Sequence, residues 1–160
     1  MSIRFTERLL YQPTSTTPDD ENIVAFYAYF SADVSSLGLS ETLKYDVVKT
    51  NQGNGYHPSS GVFIAPKEGY YVFTWTIRLY HYGDTTAENF STELIINGDV
   101  YGSVFLRAHL EDDDQATATV VAHVNKGEDV YVRTHSMYSS IGSIRSNTHG
   151  RSSFAGWKIN

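Results

Sequence analysis

NQGNGYHPSSGVFIAPKEGYYVFTW, residues 51–75, joins a turn-rich segment to a run that alternates strictly. Continued to Tyr82, the run puts Tyr71, Phe73, Trp75, Ile77 and Leu79 on one face. The other face carries Tyr70, Val72, Thr74, Thr76, Arg78, Tyr80 and Tyr82. A period of two sustained this long is a strand, and a face made only of large apolar residues is a core face. The opposite face is too aromatic for an ordinary wet surface. Tyrosines interleaved with Thr and Arg suit contact with another protein surface, where the rings are buried and their hydroxyls paired. The expected interface residues are Tyr70, Thr74, Arg78, Tyr80 and Tyr82, with Tyr27 and Tyr29 from an earlier run. They predict a homo-oligomer.

Working outward, the same pattern recurs in shorter pieces. Ile23–Phe30 reads as a strand apolar on both faces, and so as one covered on both sides. Asn97-Gly98 between two apolar runs is a strong hairpin signal, and Asn125–Glu128 marks a second turn between Thr117–Val124 and Asp129–His135. Ser153–Ile159 returns the chain to a sheet. After Asn22 no helical period exceeds two turns, so the chain is all-β, an antiparallel two-sheet jelly-roll sandwich. Residues 22–160 form the domain. Residues 1–21 read as a tail or short stalk, with one or two helical turns in Met1–Gln12 followed by a Pro/Ser/Thr-rich linker.

Composition narrows the partners. The 160 residues carry a net charge of −6, and their 12 Lys and Arg form no run, so the electrostatic footprint of a nucleic-acid binder is absent. No apolar stretch approaches the roughly 20 residues of a membrane span, and Met1–Gln12 lacks the apolar core of a signal peptide. If the protein is secreted, the chain is expected to be a mature or trimmed form. It has no cysteine, so thiol usage does not report a compartment.

The spacing around the opening stretch carries a resemblance. Tyr45, five residues, Asn51, four residues, Tyr56, six residues, Phe63, five residues, Gly69, then Tyr71, Phe73 and Trp75 closely resembles the signature of the globular C1q domain. Four outlying blocks agree in order: Ala25–Ala28, Gly61–Pro66, Asp114–Ala116 with Gly127–Val130, and Ser153–Gly156. Tyr45 stands where that family usually has Phe, and Trp75 where it has Phe or Tyr. The resemblance implies a C1q/TNF-like jelly roll that assembles as a homotrimer, is secreted and extracellular, and acts by binding. No Gly-X-Y repeat precedes the domain, so a collagen stalk and the multimers built on one are not expected. The layout is similar to stand-alone invertebrate C1q-domain proteins of the lectin-like type.

Two functions follow from different classes. One is non-enzymatic pattern recognition of glycans or microbial surface molecules in innate immunity. The other is a signalling ligand of the adiponectin or tumour necrosis factor type, engaging a receptor. Catalysis is not expected: there is no nucleophile elbow, zinc-binding HExxH or phosphate-cradling loop, and the six histidines are scattered. His109, His123 and His135 share no close ligand spacing.

No cofactor is required, although Ca²⁺ is an option. Glu111–Asp114 is a carboxylate run on a predicted loop, with the hard oxygens calcium prefers. The resemblance implies a calcium-ligating position at Asp114 near a threefold axis, with Asp113 beside it. The second acidic ligand expected about eight residues earlier falls near Leu106 and Arg107, which cannot supply it.

Ligand recognition is assigned to Arg107, His109, Arg133, His135, Tyr138, Arg145, His149 and Arg151, on the later strands and on the long loop-like segment 136–151. Arginines suit the carboxylate of an acidic sugar, and an aromatic ring suits the flat face of a sugar. Asn89-Phe-Ser91 is a glycosylation sequon at Asn89.

Overall fold

A computed structural model of the chain describes residues 23–80, 88–108 and 113–159, and every regular element in them is a β-strand. The tail, the boundary at Asn22, Tyr82 and His109 lie outside these residues. The strands are β1 (Ala25–Tyr29), β2 (Val47–Gln52), β3 (Tyr56–His57), β4 (Val62–Ile64), β5 (Gly69–Tyr80), β6 (Glu88–Ile96), β7 (Asp99–Ala108), β8 (Asp113–Val124), β9 (Asp129–Thr134), β10 (Ser143–Ile144) and β11 (Ser153–Ile159).

They make two antiparallel sheets. Sheet A runs β2-β1-β11-β5-β8, and the short β10 extends the line of β11 beside the far end of β5. Sheet B runs β3-β4-β9-β6-β7. Consecutive strands pair in β1–β2, β3–β4 and β6–β7, while β11–β1, β11–β5, β5–β8, β4–β9 and β9–β6 join strands distant in sequence, the jelly-roll pattern. β6 and β7 form the hairpin predicted at Asn97-Gly98, whose φ angles of 48° and 89° match the two left-handed positions of a type I′ turn.

The opening stretch explains itself in the core between the sheets. Asn51 clamps Tyr56 by its backbone, accepting from its N–H at 3.0 Å and donating to its carbonyl at 2.9 Å. This places the Tyr56 ring parallel to Phe26 at 5.0 Å, and Phe63 stacks on Phe26 at 4.8 Å. Gly61 sits at φ 77°, and a Cβ there would lie 2.4 Å from the Leu43 carbonyl oxygen, so only glycine lets the two segments meet. Tyr71, Phe73, Trp75, Ile77 and Leu79 are all fully buried, as the alternation requires. Trp75 also uses its indole N–H, donating to Thr92 Oγ1 on the facing sheet at 2.9 Å. An indole in place of Phe is thereby satisfied.

Tyr45 is different. Its ring stacks on Phe30 at 4.3 Å, but its hydroxyl is buried without a hydrogen-bond partner among the described residues. Burial, then the neighbouring Tyr56, push this phenol well above its ordinary value. Burial also raises Tyr56, against the lowering effect of its hydrogen bond to the Tyr45 carbonyl. Raised folded-state values mean that stability is complete below the unfolded phenol value of about 10. Above it the unfolded chain ionises first and stability falls, by about 1.4 kcal/mol per pH unit for each such phenol. Tyr45→Phe is expected to raise stability at neutral pH by about 1 kcal/mol, because it deletes an orphaned hydroxyl. It should also remove one phenol's share of the alkaline slope. Urea unfolding at pH 7.5 and at several values above pH 10 checks both, and a lowered midpoint at neutral pH would refute the first.

Three expectations change. β1 buries Phe26 and Ala28 but leaves Ala25, Tyr27 and Tyr29 half-buried, so within one chain it is covered on one side only. Asp113 and Asp114 belong to a strand, not a loop, because β8 stays in register with β5 as far as Tyr80. Segment 136–151 is pinned rather than free. β10 pairs with Leu79 and Tyr80, and bridges tie Ile141 to Asn89, Ile144 to Val34 and Asn147 to Gly150.

Candidate functional site

The recognition residues expected from the sequence divide between the two sheets. On the outer face of sheet B, β6 contributes Asn89, Ser91 and Glu93, β7 contributes Ser103, Phe105 and Arg107, and β9 with the residue after it contributes Arg133 and His135. The register sets Phe105 opposite Ser91, Ser103 and Arg133 opposite Glu93, and Arg107 opposite Asn89. The chain then folds back so that Tyr138 closes one side. The result is a pocket of about 430 Å³ lined by Ser91, Ser103, Phe105, His135 and Tyr138. Phe105 and Tyr138 stand at its mouth, 57% and 63% exposed.

Beneath this pocket lies a buried charge network. Glu93, only 4% exposed, must be paired to be tolerated there. Arg133 supplies two contacts to its Oε2, from Nε at 3.0 Å and Nη2 at 2.9 Å, and His135 Nε2 lies 3.3 Å from its Oε1. His135 Nδ1 accepts the backbone N–H groups of Met137 at 3.0 Å and Tyr138 at 3.3 Å. Nδ1 therefore carries no proton and Nε2 carries the one directed at Glu93. With both nitrogens engaged, this imidazole holds the start of the segment that follows it against Glu93. It seats the Tyr138 ring 4.8 Å away in an edge-on contact.

Arg145, His149 and Arg151 are elsewhere, at the end of sheet A. Arg145 lies over the Tyr80 ring at 4.3 Å and Arg151 over Tyr29 at 4.6 Å. Arg78 is largely engaged within the chain, where its side chain is 13% exposed, paired with Asp113 and donating to Asn147 Oδ1 at 3.0 Å. The His149 backbone N–H shares that Asn147 oxygen. Tyr70 is exposed, and Thr74 donates to the Ala118 carbonyl and accepts from Thr119. At the opposite end of the same face Tyr70, Val121, Trp157 and Ile159 are all exposed.

Asp113 and Asp114 do not fit a calcium ion within one chain. Asp113 is held by Arg78 opposite Tyr80. Asp114 follows it on the other face of β8, opposite Leu79, with Oδ1 accepting the Gln115 N–H at 2.8 Å. Among the described residues no three His, Asp or Glu groups gather as metal ligands would.

The sequence alone does not single out Ser91, Glu93, Ser103 and Phe105 as recognition residues. Two signals bear on them: a lone carboxylate inside Phe90–Ile96, and the alternation that puts Ser103 and Phe105 on the face of Arg107. Asn89 of the sequon is half-buried within the same sheet, on the ladder row next to Ser91.

Residues 25–159 match the family model described as the C1q domain. A relative from Mytilus edulis, named heavy metal-binding protein HIP, is 33% identical over 117 residues, 70% of this chain; the chain spans about half, 50%, of that protein's length. Among solved structures, the globular domain of zebrafish complement 1qA superposes with a TM-score of 0.64 at 12% identity, over 86% of this chain and 98% of that one. Eiger TNF from S. frugiperda superposes with a TM-score of 0.65 at 11% identity, over 86% and 93% of the two chains. At such identities the two structures speak for the jelly roll alone. Since the aromatic lattice, the strand order and the family match all cover the same span, this chain belongs to the C1q domain family.

Proposed function

We propose that the chain is a secreted, non-enzymatic recognition protein that works as a homotrimer and binds glycans, including those of microbial surfaces, through the pocket on the outer face of sheet B. The observation that carries this reading is the pocket's composition. Two exposed rings, Phe105 and Tyr138, line the pocket together with the hydroxyl-bearing Ser91, which is buried, and Ser103, which is exposed. Rings offer stacking surface to the C–H face of a sugar, and hydroxyls can exchange hydrogen bonds with its own. Arg107, one ladder row away from Phe105, supplies a cation for an acidic sugar. Trimerisation is assigned to the outer face of sheet A, whose exposed Tyr70, Val121, Trp157 and Ile159 would be buried against other copies. No helix among the described residues is long and apolar enough to cross a membrane. The heavy-metal binding in the mussel relative's name is not assigned to this site, where Glu93 is already committed to Arg133 and His135.

A glycan array probed with the purified protein tests the reading. Saturable binding that free sugar competes is the expected result, and Phe105→Ala and Tyr138→Ala should each weaken it about tenfold, the equivalent of one lost aromatic contact. Silence across the array would sink it.

A further inference from the structure

His135 sits between two systems that want different things from it. Its Nε2 faces the buried Glu93 carboxylate at 3.3 Å, while its Nδ1 is the acceptor for two backbone donors that start the segment leading to Tyr138. We propose that His135 makes the pocket acid-labile: a proton taken up at Nδ1 turns that acceptor into a donor, expels the Met137 and Tyr138 amides, and releases the ring that closes the pocket. This rests on the pocket being the binding site. Ligand is then held at neutral pH and let go in mild acid.

The groups around the imidazole favour this division. Glu93 from β6 faces Nε2, a donor in either form of the ring, so the ring keeps that partner and the cost falls on the segment. Arg133, on β9 just before His135, opposes the added charge but is itself neutralised by Glu93. β7 brings Ser103 and Phe105, which are uncharged, with Arg107 one row beyond. From the segment hydrogen-bonded along Thr134 and His135, the Glu41 carboxylate is turned away to accept the Gly38 N–H at 2.7 Å. Tyr138 contributes its uncharged ring. Histidine is the side chain whose charge ordinarily changes between pH 5 and 8, and no other group in this shell replaces it as acceptor for the two amides. The rest of the segment has its own anchors, at Ile141 on the Asn89 carbonyl and at β10, so release is confined to the stretch before Ile141.

Asparagine separates the proton from the geometry. Its Oδ1 occupies nearly the place of Nδ1 and accepts the same amides as an Asx-turn, but it does not titrate. Glutamine reaches toward Glu93 and leaves the amides unserved. Amide hydrogen exchange of residues 137 and 138, corrected for intrinsic rates, is to be compared at pH 7.5 and pH 5.0 without ligand. In the wild type, protection should fall about thirtyfold at pH 5.0, the factor expected from losing two hydrogen bonds of ordinary net strength. His135→Asn should hold its protection at both values, and His135→Gln should lack it at both. Wild-type protection unchanged between the two pH values overturns the proposal, as does a fall in His135→Asn equal to that of the wild type. Should His135→Asn not fold, the wild-type comparison and His135→Gln decide. Glycan binding that persists unchanged from pH 7.5 to 5.0 also overturns it, whereas an array silent at pH 7.5 counts against the glycan reading and leaves the amides to decide the switch.

Discussion

Glu93→Ala is expected to destabilise the domain by about 3–5 kcal/mol, the range for breaking a buried ion pair from one side. The carboxylate is the counterion of Arg133 and the partner of His135, and all three side chains are largely shielded from water. Removing it strands a guanidinium against the sheet and leaves an imidazole N–H unpaired. The double variant Glu93→Met with Arg133→Leu discriminates between charge and packing. Replacing both charges with apolar groups of similar bulk removes the uncompensated cation, so most of the stability should return. Urea unfolding of the three proteins measures this. A loss below about 1 kcal/mol in Glu93→Ala would mean that the pair is effectively hydrated and behaves as a surface salt bridge.

Val121→Glu is expected to leave the protein folded and monomeric. Val121 is 61% exposed in the single chain, so a glutamate there costs the isolated fold little. In the proposed trimer the same residue lies in a row with Val72 and Trp157, next to Tyr70, on the face assigned to subunit contact. Each copy would then bury an unpaired carboxylate, a penalty of several kcal/mol per subunit. Light scattering at micromolar concentration should give the trimer mass for the wild type and the monomer mass for the variant. Val100→Glu, at a valine 53% exposed on β7 of the other sheet, should remain trimeric. A trimeric Val121→Glu would remove sheet A's outer face from the interface.

The fold was legible because its determinants are local and periodic. Tyr71 to Leu79 alternate without a break, Asn97-Gly98 has the chemistry of its turn, and the Asn51–Tyr56 spacing is that of one side chain clamping one peptide. The site was legible only in part. His135 and Tyr138 are near one another in sequence and both line the pocket, with Arg133 joined to His135 through Glu93. Arg145 and Arg151 look equally near along the chain, yet β10 carries them across to sheet A, where tyrosine rings receive them. Asp113 resembled a loop ligand until Arg78, 35 positions earlier, proved to be its partner.

By itself, then, the sequence determined the strands, their buried faces and the family, since hydrophobic period, turn chemistry and aromatic spacing act over a few residues. The tertiary structure alone decided which charges are spent on one another. Glu93 finds Arg133 at a separation of 40 residues through strand pairing, and a side chain's partner across a sheet is set by register, which no local pattern records.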